Sequence, residues 1–159
     1  MHKPAKPGRL LSMVLLLLLG LGTSFTAAHA SPAEPALAIA HDDPALKWTV
    51  CPPFMPKGCE ITILHGDPSK NNLDVFFRVP AKAVIPLHWH TSAERMVLVA
   101  GELHVSYEGQ KTAVLKPGNY AYGPPKRLHE AVCASTAPCV LFIAFESPLD
   151  AVPAKTLKK

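Results

Sequence analysis

The sequence has no hydrophobic run long enough to cross a membrane. It also has no window with the 3.6-residue periodicity of an amphipathic helix. Its longest apolar run, Leu10–Leu21, has twelve residues, whereas a membrane-spanning helix needs roughly 20. No internal repeat is visible, and 159 residues with 18% charged and 48% hydrophobic side chains leave room for one core. We therefore expect a single globular domain without a membrane span.

The chain carries little excess charge once its first thirty residues are set aside. Its formal net charge is +4, and residues 1–30 hold three basic residues and no acidic one, so 4 − 3 leaves +1 on the remainder. A nucleic-acid-binding surface needs concentrated positive charge. The sequence therefore gives no sign of a nucleic-acid partner.

Residues 1–30 have the pattern of a secretory signal peptide. Lys3, Lys6 and Arg9 precede the apolar run, and Ala28-His29-Ala30 supplies small residues where a signal peptidase cleaves. There is no twin arginine, and no cysteine occurs before Cys51 to carry a lipid anchor. We expect cleavage after residue 30 and a mature protein in the periplasm or outside the cell.

Four cysteines in an exported chain favour disulfides, although sequence alone leaves three connectivities open. Local pairs are expected: Cys51 with Cys59 around a proline-rich loop, and Cys133 with Cys139 across the base of a hairpin. The alternative makes Cys133 a metal ligand. Along a strand it would lie about 13 Å from His129 at roughly 3.3 Å per residue, which is too far to share one ion.

Short β-rich runs separated by turn residues fill the middle of the chain, at spacings of about ten residues. They include EITILHG, LDVFFRVP, AVIPLHWH, RMVLVAGELHVSYEG, KTAVL, RLHEAVCA and PCVLFIAFE. This pattern predicts an all-β sandwich or barrel at residues 48–148. Proline- and alanine-rich segments flank it, and we expect an N-terminal arm at 31–47 and a C-terminal tail at 149–159.

The segment IPLHWHTSAERMVLV concentrates metal-binding side chains in an apolar strand. Because side chains alternate along a strand, His88 and His90 lie on one face. A turn then places Glu94 at the head of the next strand, with Met96 following on its face as an apolar wall. Two imidazoles and a carboxylate can thus converge on one point.

The spacing of these residues, and of a second group further on, resembles the cupin superfamily. The first cupin motif, G-x5-H-x-H-x3,4-E-x6-G, is matched at His88, His90, Glu94 and Gly101, and the second, G-x5-P-x-G-x2-H-x3-N, at Gly118, Pro124 and His129. The stretch FFRVPAKAVIPLHWHTSAERMVLVAGELHV is also similar to the cupin domain of zinc-binding anti-sigma factors.

Three positions depart from the cupin motifs. Lys82 and Lys126 stand where the motifs have glycine, and Cys133 stands at the terminal asparagine. None is a ligand position, so the departures concern the shape of local turns.

The cupin resemblance implies an antiparallel double-sheet jelly-roll barrel with a metal inside. It implies that His88, His90, Glu94 and His129 hold one divalent transition metal, which could be Fe, Mn, Ni, Cu or Zn because the ligand types do not select among them. Glu94 is also the candidate catalytic base. A homodimer paired through strands at the barrel edge is the expected assembly.

Three further side chains are candidates for the pocket around the metal. One of Tyr120 and Tyr122 could reach in as a hydrogen-bond donor or acid, although aromatic packing at the barrel rim is the simpler explanation of both. Arg78 could bind an anionic substrate, or it could be an ordinary exposed arginine.

These features favour two functions. The first is a metal-dependent enzyme of the oxygenase, isomerase or decarboxylase type that acts on a small organic molecule, with Glu94 as the base. The second is a non-catalytic periplasmic module that binds or senses a metal or small ligand. A purely structural cupin is a third reading, because a fold alone does not determine a reaction.

Overall fold

The computed structural model describes residues 34–154 of the chain. The predicted signal peptide lies outside these residues. The chain divides into two units, Met1–Ala36 and Leu37–Lys159, and the strands belong to the second. No helix in the described part is long and apolar enough to cross a membrane.

The described chain folds into eleven strands, which confirms the expected all-β class. They are β1 (Thr49–Val50), β2 (Glu60–His65), β3 (Leu73–Val79), β4 (Val84–Trp89), β5 (Glu94–Ala100), β6 (Leu103–Tyr107), β7 (Ala113–Leu115), β8 (Tyr120–Gly123), β9 (His129–Cys133), β10 (Cys139–Phe145) and β11 (Val152–Pro153).

Two antiparallel sheets form the barrel, as expected for a jelly roll. One has the order β1-β2-β3-β10-β5-β8 and the other β11-β4-β9-β6-β7. Their inner faces hold the core, because several strands alternate buried apolar residues with more exposed ones, as in β6, where Leu103 and Val105 are buried and His104 is not. The sequence alternation therefore defines both sheets.

The two lysines at motif glycine positions adopt the backbone conformation that glycine would. Lys82 and Lys126 both have φ of +61°, in the left-handed region that costs a residue with a Cβ about 1–2 kcal/mol. The Lys126 amide donates to the His90 carbonyl at 2.7 Å, which ties this turn to the strand segment of the histidines. The departures from the motif therefore leave the turns in place.

Both expected disulfides are present, Cys51–Cys59 and Cys133–Cys139. The second differs from the expectation in one respect. Cys133 ends β9 in one sheet and Cys139 begins β10 in the other, so this bridge joins the two sheets instead of closing a hairpin. Gly101 packs closely against this disulfide. A Cβ at Gly101 would lie 2.8 Å from the Cys139 sulfur, so a larger residue would not fit there without a shift.

The two flanking segments differ from each other. Residues 37–47 contain no strand and are mostly exposed, as an arm would be. The C-terminal segment instead joins the barrel: Val152 pairs with Trp89, and the Ala154 amide donates to the Leu87 carbonyl at 3.0 Å. The folded domain therefore extends beyond residue 148, where the sequence pattern placed its end.

Candidate metal centre

Two neighbouring strands bring the three predicted histidines together. His88 on β4 lies directly opposite His129 on β9, and His90 follows two residues later on the same face. One ring nitrogen from each of the three lies within 4.8 Å of the others, and all three side chains are buried. This is a cluster of imidazoles that could share one metal ion.

Backbone carbonyls fix the orientation of each imidazole. Nδ1 of His88 contacts the Pro86 carbonyl at 2.7 Å and Nδ1 of His129 contacts the Arg127 carbonyl at 2.9 Å. Nδ1 of His90 contacts the Asp150 carbonyl in the C-terminal segment. Because a carbonyl oxygen only accepts, each Nδ1 carries the proton, and the lone pair of each neutral ring is on Nε2. This arrangement is typical of metal-binding histidines.

Glu94 faces this cluster from the opposite sheet. It begins β5, and its side chain is buried. Oε1 lies 3.2 Å from Nε2 of His90, and Oε2 lies 3.3 Å from Nε2 of His129. Gly123 on β8 leaves room for the carboxylate, since a Cβ there would be 3.1 Å from Oε2.

Burial changes the protonation of all four groups. Loss of water around the ring, followed by the neighbouring histidines His129 and His90, lowers the pKa of His88 to about 3. Burial also lowers the pKa of His90 and of His129. For Glu94, burial raises the pKa to about 7, partly opposed by His129. The protein alone therefore favours neutral imidazoles beside a carboxyl group that titrates near neutral pH.

These residues fit a divalent transition metal. With Nδ1 protonated, Nε2 of His129 and Oε2 of Glu94 are two electron-pair donors that face each other, and Oε2 has no hydrogen-bond partner among the described residues. Such a contact is unfavourable unless a proton or a cation lies between the two atoms. Three imidazole nitrogens and one carboxylate oxygen are suitable donors for such a cation.

An apolar cavity of about 250 Å³ opens from the histidines and Glu94. Its wall includes Ile61, Phe77, Met96, Leu141, Ile143 and Phe145. Two segments outside the sheets also line it: the loop closed by the Cys51–Cys59 disulfide, through Pro52 and Met55, and the C-terminal segment, through Leu149 and Ala151. The site is thus the polar part of a pocket with otherwise apolar walls.

Of the candidate pocket residues, Met96 lines the cavity, and the two tyrosines do not. Tyr120 and Tyr122 are 58% and 48% exposed, because the alternation along β8 directs Ala121 and Gly123 inward instead. The suggestion that a tyrosine of this strand reaches the metal pocket is therefore wrong.

Arg78 is also away from the cavity. It pairs across β2 and β3 with Glu60, with Nη2 at 2.7 Å from Oε2, and its guanidinium lies 3.9 Å from the Trp48 ring centroid. The anion-binding role suggested for Arg78 in the metal pocket is not supported, because its charge is already paired on the other side of the sheet.

One polar residue near the site is not among the candidates that the sequence suggested. Tyr107 ends β6, and its ring centroid lies 5.4 Å from that of His129. Its hydroxyl has no hydrogen-bond partner among the described residues, and burial raises its pKa. Its position in phase with Leu103 and Val105 was the available signal that it faces inward.

Comparison with known proteins agrees with this fold. Residues 75–145 match the family model described as Cupin domain. Among solved structures, the polyketide cyclase RemF from Streptomyces resistomycificus is similar with a TM-score of 0.64 at 14% identity, over 78% of this chain and 89% of that one. An RmlC-like cupin from Shewanella frigidimarina NCIMB 400 is similar with a TM-score of 0.55 at 24% identity, over 66% of this chain and 86% of that one.

A third similar structure is the DMSP lyase DddQ from Ruegeria pomeroyi DSS-3, with a TM-score of 0.60 at 20% identity over 72% of this chain. The match covers 64% of the lyase chain, which is less than two thirds of its length. None of the curated proteins compared with the sequence matches it significantly. Over residues 75–145 the chain thus matches the cupin domain model, and its two antiparallel sheets are consistent with the jelly-roll fold of cupins.

Proposed function

We propose that this protein is an exported cupin in which His88, His90, Glu94 and His129 hold one divalent transition metal, and that it is an enzyme acting on a small organic molecule. The observation that carries the proposal is the convergence of three buried imidazoles, each with Nε2 turned away from its backbone carbonyl partner, beside one buried carboxylate. A bound ion of this kind supplies Lewis-acid or redox chemistry.

The residues of the site have separate tasks in this proposal. The three imidazoles, each held by a backbone carbonyl, bind the ion. Glu94 is both a ligand and the candidate base, because a carboxyl group with a pKa near 7 can take up or release a proton at neutral pH. The apolar walls of the cavity bind the organic part of the substrate and exclude water.

Two observations support an exported enzyme. The described cysteines are all paired in disulfides, which form in oxidising compartments. Two of the similar structures are enzymes, a DMSP lyase and a polyketide cyclase. Their identities to this chain are low, so the reaction type stays open among oxygenase, isomerase and decarboxylase.

One contact favours the alternative, a metal- or ligand-sensing module. The Asp150 carbonyl accepts from Nδ1 of His90, and the Asp150 carboxylate accepts from the Thr91 amide at 2.8 Å. Metal binding at His90 would therefore also order the C-terminal segment, where a partner could read the change.

Exchange of water at the metal distinguishes the two functions. An enzyme needs a coordination position open to substrate, so the Mn²⁺-loaded protein should enhance water-proton relaxation well above the value for a fully protein-coordinated ion. Fast relaxation supports the enzyme. Slow relaxation, which indicates a fully protein-coordinated ion, supports the sensing module. Metal loading should stabilise the protein in either case, by about 2.7 kcal/mol at 100 times the dissociation constant. The same measurements on Glu94→Gln show whether the carboxylate is a ligand.

A further inference from the structure

The composition of the cavity wall restricts what the proposed metal centre can bind. None of the described residues that line the cavity is a lysine or an arginine, and none offers a side-chain hydroxyl or amide. The ionisable side chains on the wall are the three histidines, Glu94 and Asp150. Recognition of a polar ligand group is therefore concentrated at the metal.

Asp150 adds little to recognition inside the cavity. Its carboxylate accepts hydrogen bonds from the Thr91 amide and hydroxyl, and its carbonyl accepts from His90. Its polar atoms are thus already occupied in holding the C-terminal segment in place. The positive charge available to a ligand comes from the metal alone, and Glu94 partly neutralises it.

The walls beyond the metal bind by burial of apolar surface. Ala131 and Leu141 lie on facing sheets, and Met55 lies on the loop closed by the Cys51–Cys59 disulfide. Moving the hydrocarbon part of a ligand from water to this position is favourable, because apolar surface is buried. A charged or polyhydroxylated part would lose its hydrogen bonds with water and find no hydrogen-bond or ionic partner on the wall. A volume of about 250 Å³ suits a molecule with one small ring or short chain.

We propose, on the basis of the proposed metal site, that the natural ligand is a small, mainly hydrocarbon molecule with a single oxygen-donor head group that binds the metal. Sugars, nucleotides and amino acids do not fit this class, because each presents charge or several hydroxyl groups to walls without partners for them.

Two catechols that differ in one substituent test this class. On the Zn²⁺-loaded protein, 4-methylcatechol and catechol-4-sulfonate share the same chelating head, but the second carries a permanent negative charge on its body. The sulfonate makes the head group more acidic, so a cavity indifferent to charge would bind it as tightly or more tightly. We expect calorimetric titration to show 4-methylcatechol binding at least 100-fold more tightly. A ratio within tenfold would overturn the inference.

A matched pair of variants on β9 locates the binding. Ala131 lines the cavity, and Val132, the next residue, is 38% exposed on the outer face. Ala131→Leu fills the cavity, so 4-methylcatechol should bind at least tenfold more weakly, whereas Val132→Leu should change nothing. Equal affinity in both variants would contradict the inference. Zn²⁺ stoichiometry is measured in each to show that the metal site is intact.

A metal-free arm separates this inference from the proposed function. If wild-type protein bound none of Fe²⁺, Mn²⁺, Ni²⁺, Cu²⁺ and Zn²⁺, the proposed function would fail, and ¹⁹F NMR titration of the metal-free protein with fluorobenzene would still test the cavity. Saturable binding that is weakened by Ala131→Leu and unchanged by Val132→Leu supports an apolar ligand. No saturable binding of fluorobenzene to the wild type contradicts it.

Discussion

Metal binding should release a defined number of protons, because Glu94 is the one proposed ligand that carries a proton near neutral pH. Burial raises its pKa to about 7, so Glu94 of the metal-free protein is mostly protonated at pH 6 and mostly ionised at pH 8. The carboxylate must lose this proton to bind a cation. We expect release of close to one proton per metal at pH 6 and much less at pH 8.

The histidines should contribute almost nothing to this release. Burial lowers the pKa of His88 to about 3 and lowers those of His90 and His129. Three exposed histidines with an ordinary pKa near 6.5 would instead release about 2.3 protons at pH 6. The expected proton number therefore distinguishes the buried site from a surface cluster of the same residues.

The assay is calorimetric titration of the metal-free protein with Zn²⁺ in buffers of different ionisation enthalpy, which yields the proton number directly. Because a proton competes with the metal for Glu94, the affinity for Zn²⁺ should fall about tenfold for each pH unit below pH 7 and level off above pH 7. In Glu94→Gln, proton release should vanish and affinity should not vary with pH between 6 and 8. Release of more than two protons at pH 6, or none, would refute the reasoning.

Three further predictions concern stability. Lys126→Gly should stabilise the protein by about 0.5–1 kcal/mol in a urea titration. Glycine removes the energetic cost of positive φ, and this gain is larger than the extra conformational entropy that glycine gives the unfolded chain. The control Lys111→Gly, at a position without positive φ, should destabilise the protein in the same titration. Replacing Cys133 and Cys139 with alanine should cost about 2–3 kcal/mol without changing Zn²⁺ stoichiometry, and loss of metal would contradict the separation of bridge and site. Tyr107→Phe should stabilise the metal-free protein by about 1 kcal/mol by removing an unpaired buried hydroxyl; a lower melting temperature would reveal a partner for it.

Local alternation and motif spacing predicted most of the barrel. The strand runs, the inward face of β4 and the convergence of His88, His90 and His129 follow from a two-residue period and from the spacing typical of cupins. Both disulfides follow from short sequence separation. These features depend on residues near one another in the chain or on a known motif.

The remaining features depend on contacts that sequence spacing does not encode. The sequence Tyr-Ala-Tyr-Gly does not reveal which residues of β8 face the inside of the barrel. In the structure Gly123 faces inward, because the Glu94 carboxylate leaves too little space there for a side chain. The partner of Arg78 follows from the register of β2 against β3, which places Glu60 opposite it. Assigning Cys133 and Cys139 to different sheets likewise requires the strand order.

The C-terminal segment shows the same limit. Its proline- and alanine-rich sequence resembles a tail, yet Val152 and Pro153 pair with β4, and the Asp150 carbonyl orients His90. A two-residue strand gives no periodic signal. A backbone carbonyl acts as an acceptor whatever the side chain, so the residue that orients a histidine ring leaves no mark in the sequence.

Elemental analysis tests the central claim, a metal centre formed by His88, His90, Glu94 and His129, most directly. The mature protein is purified from its own compartment without a metal-scavenging tag, beside the His88→Ala/His90→Ala double variant, and circular dichroism verifies that both are folded. We predict one equivalent of Fe, Mn, Ni, Cu or Zn in the wild type and none in the variant. A wild type without stoichiometric metal, or a folded variant that retains its metal, would contradict the claim.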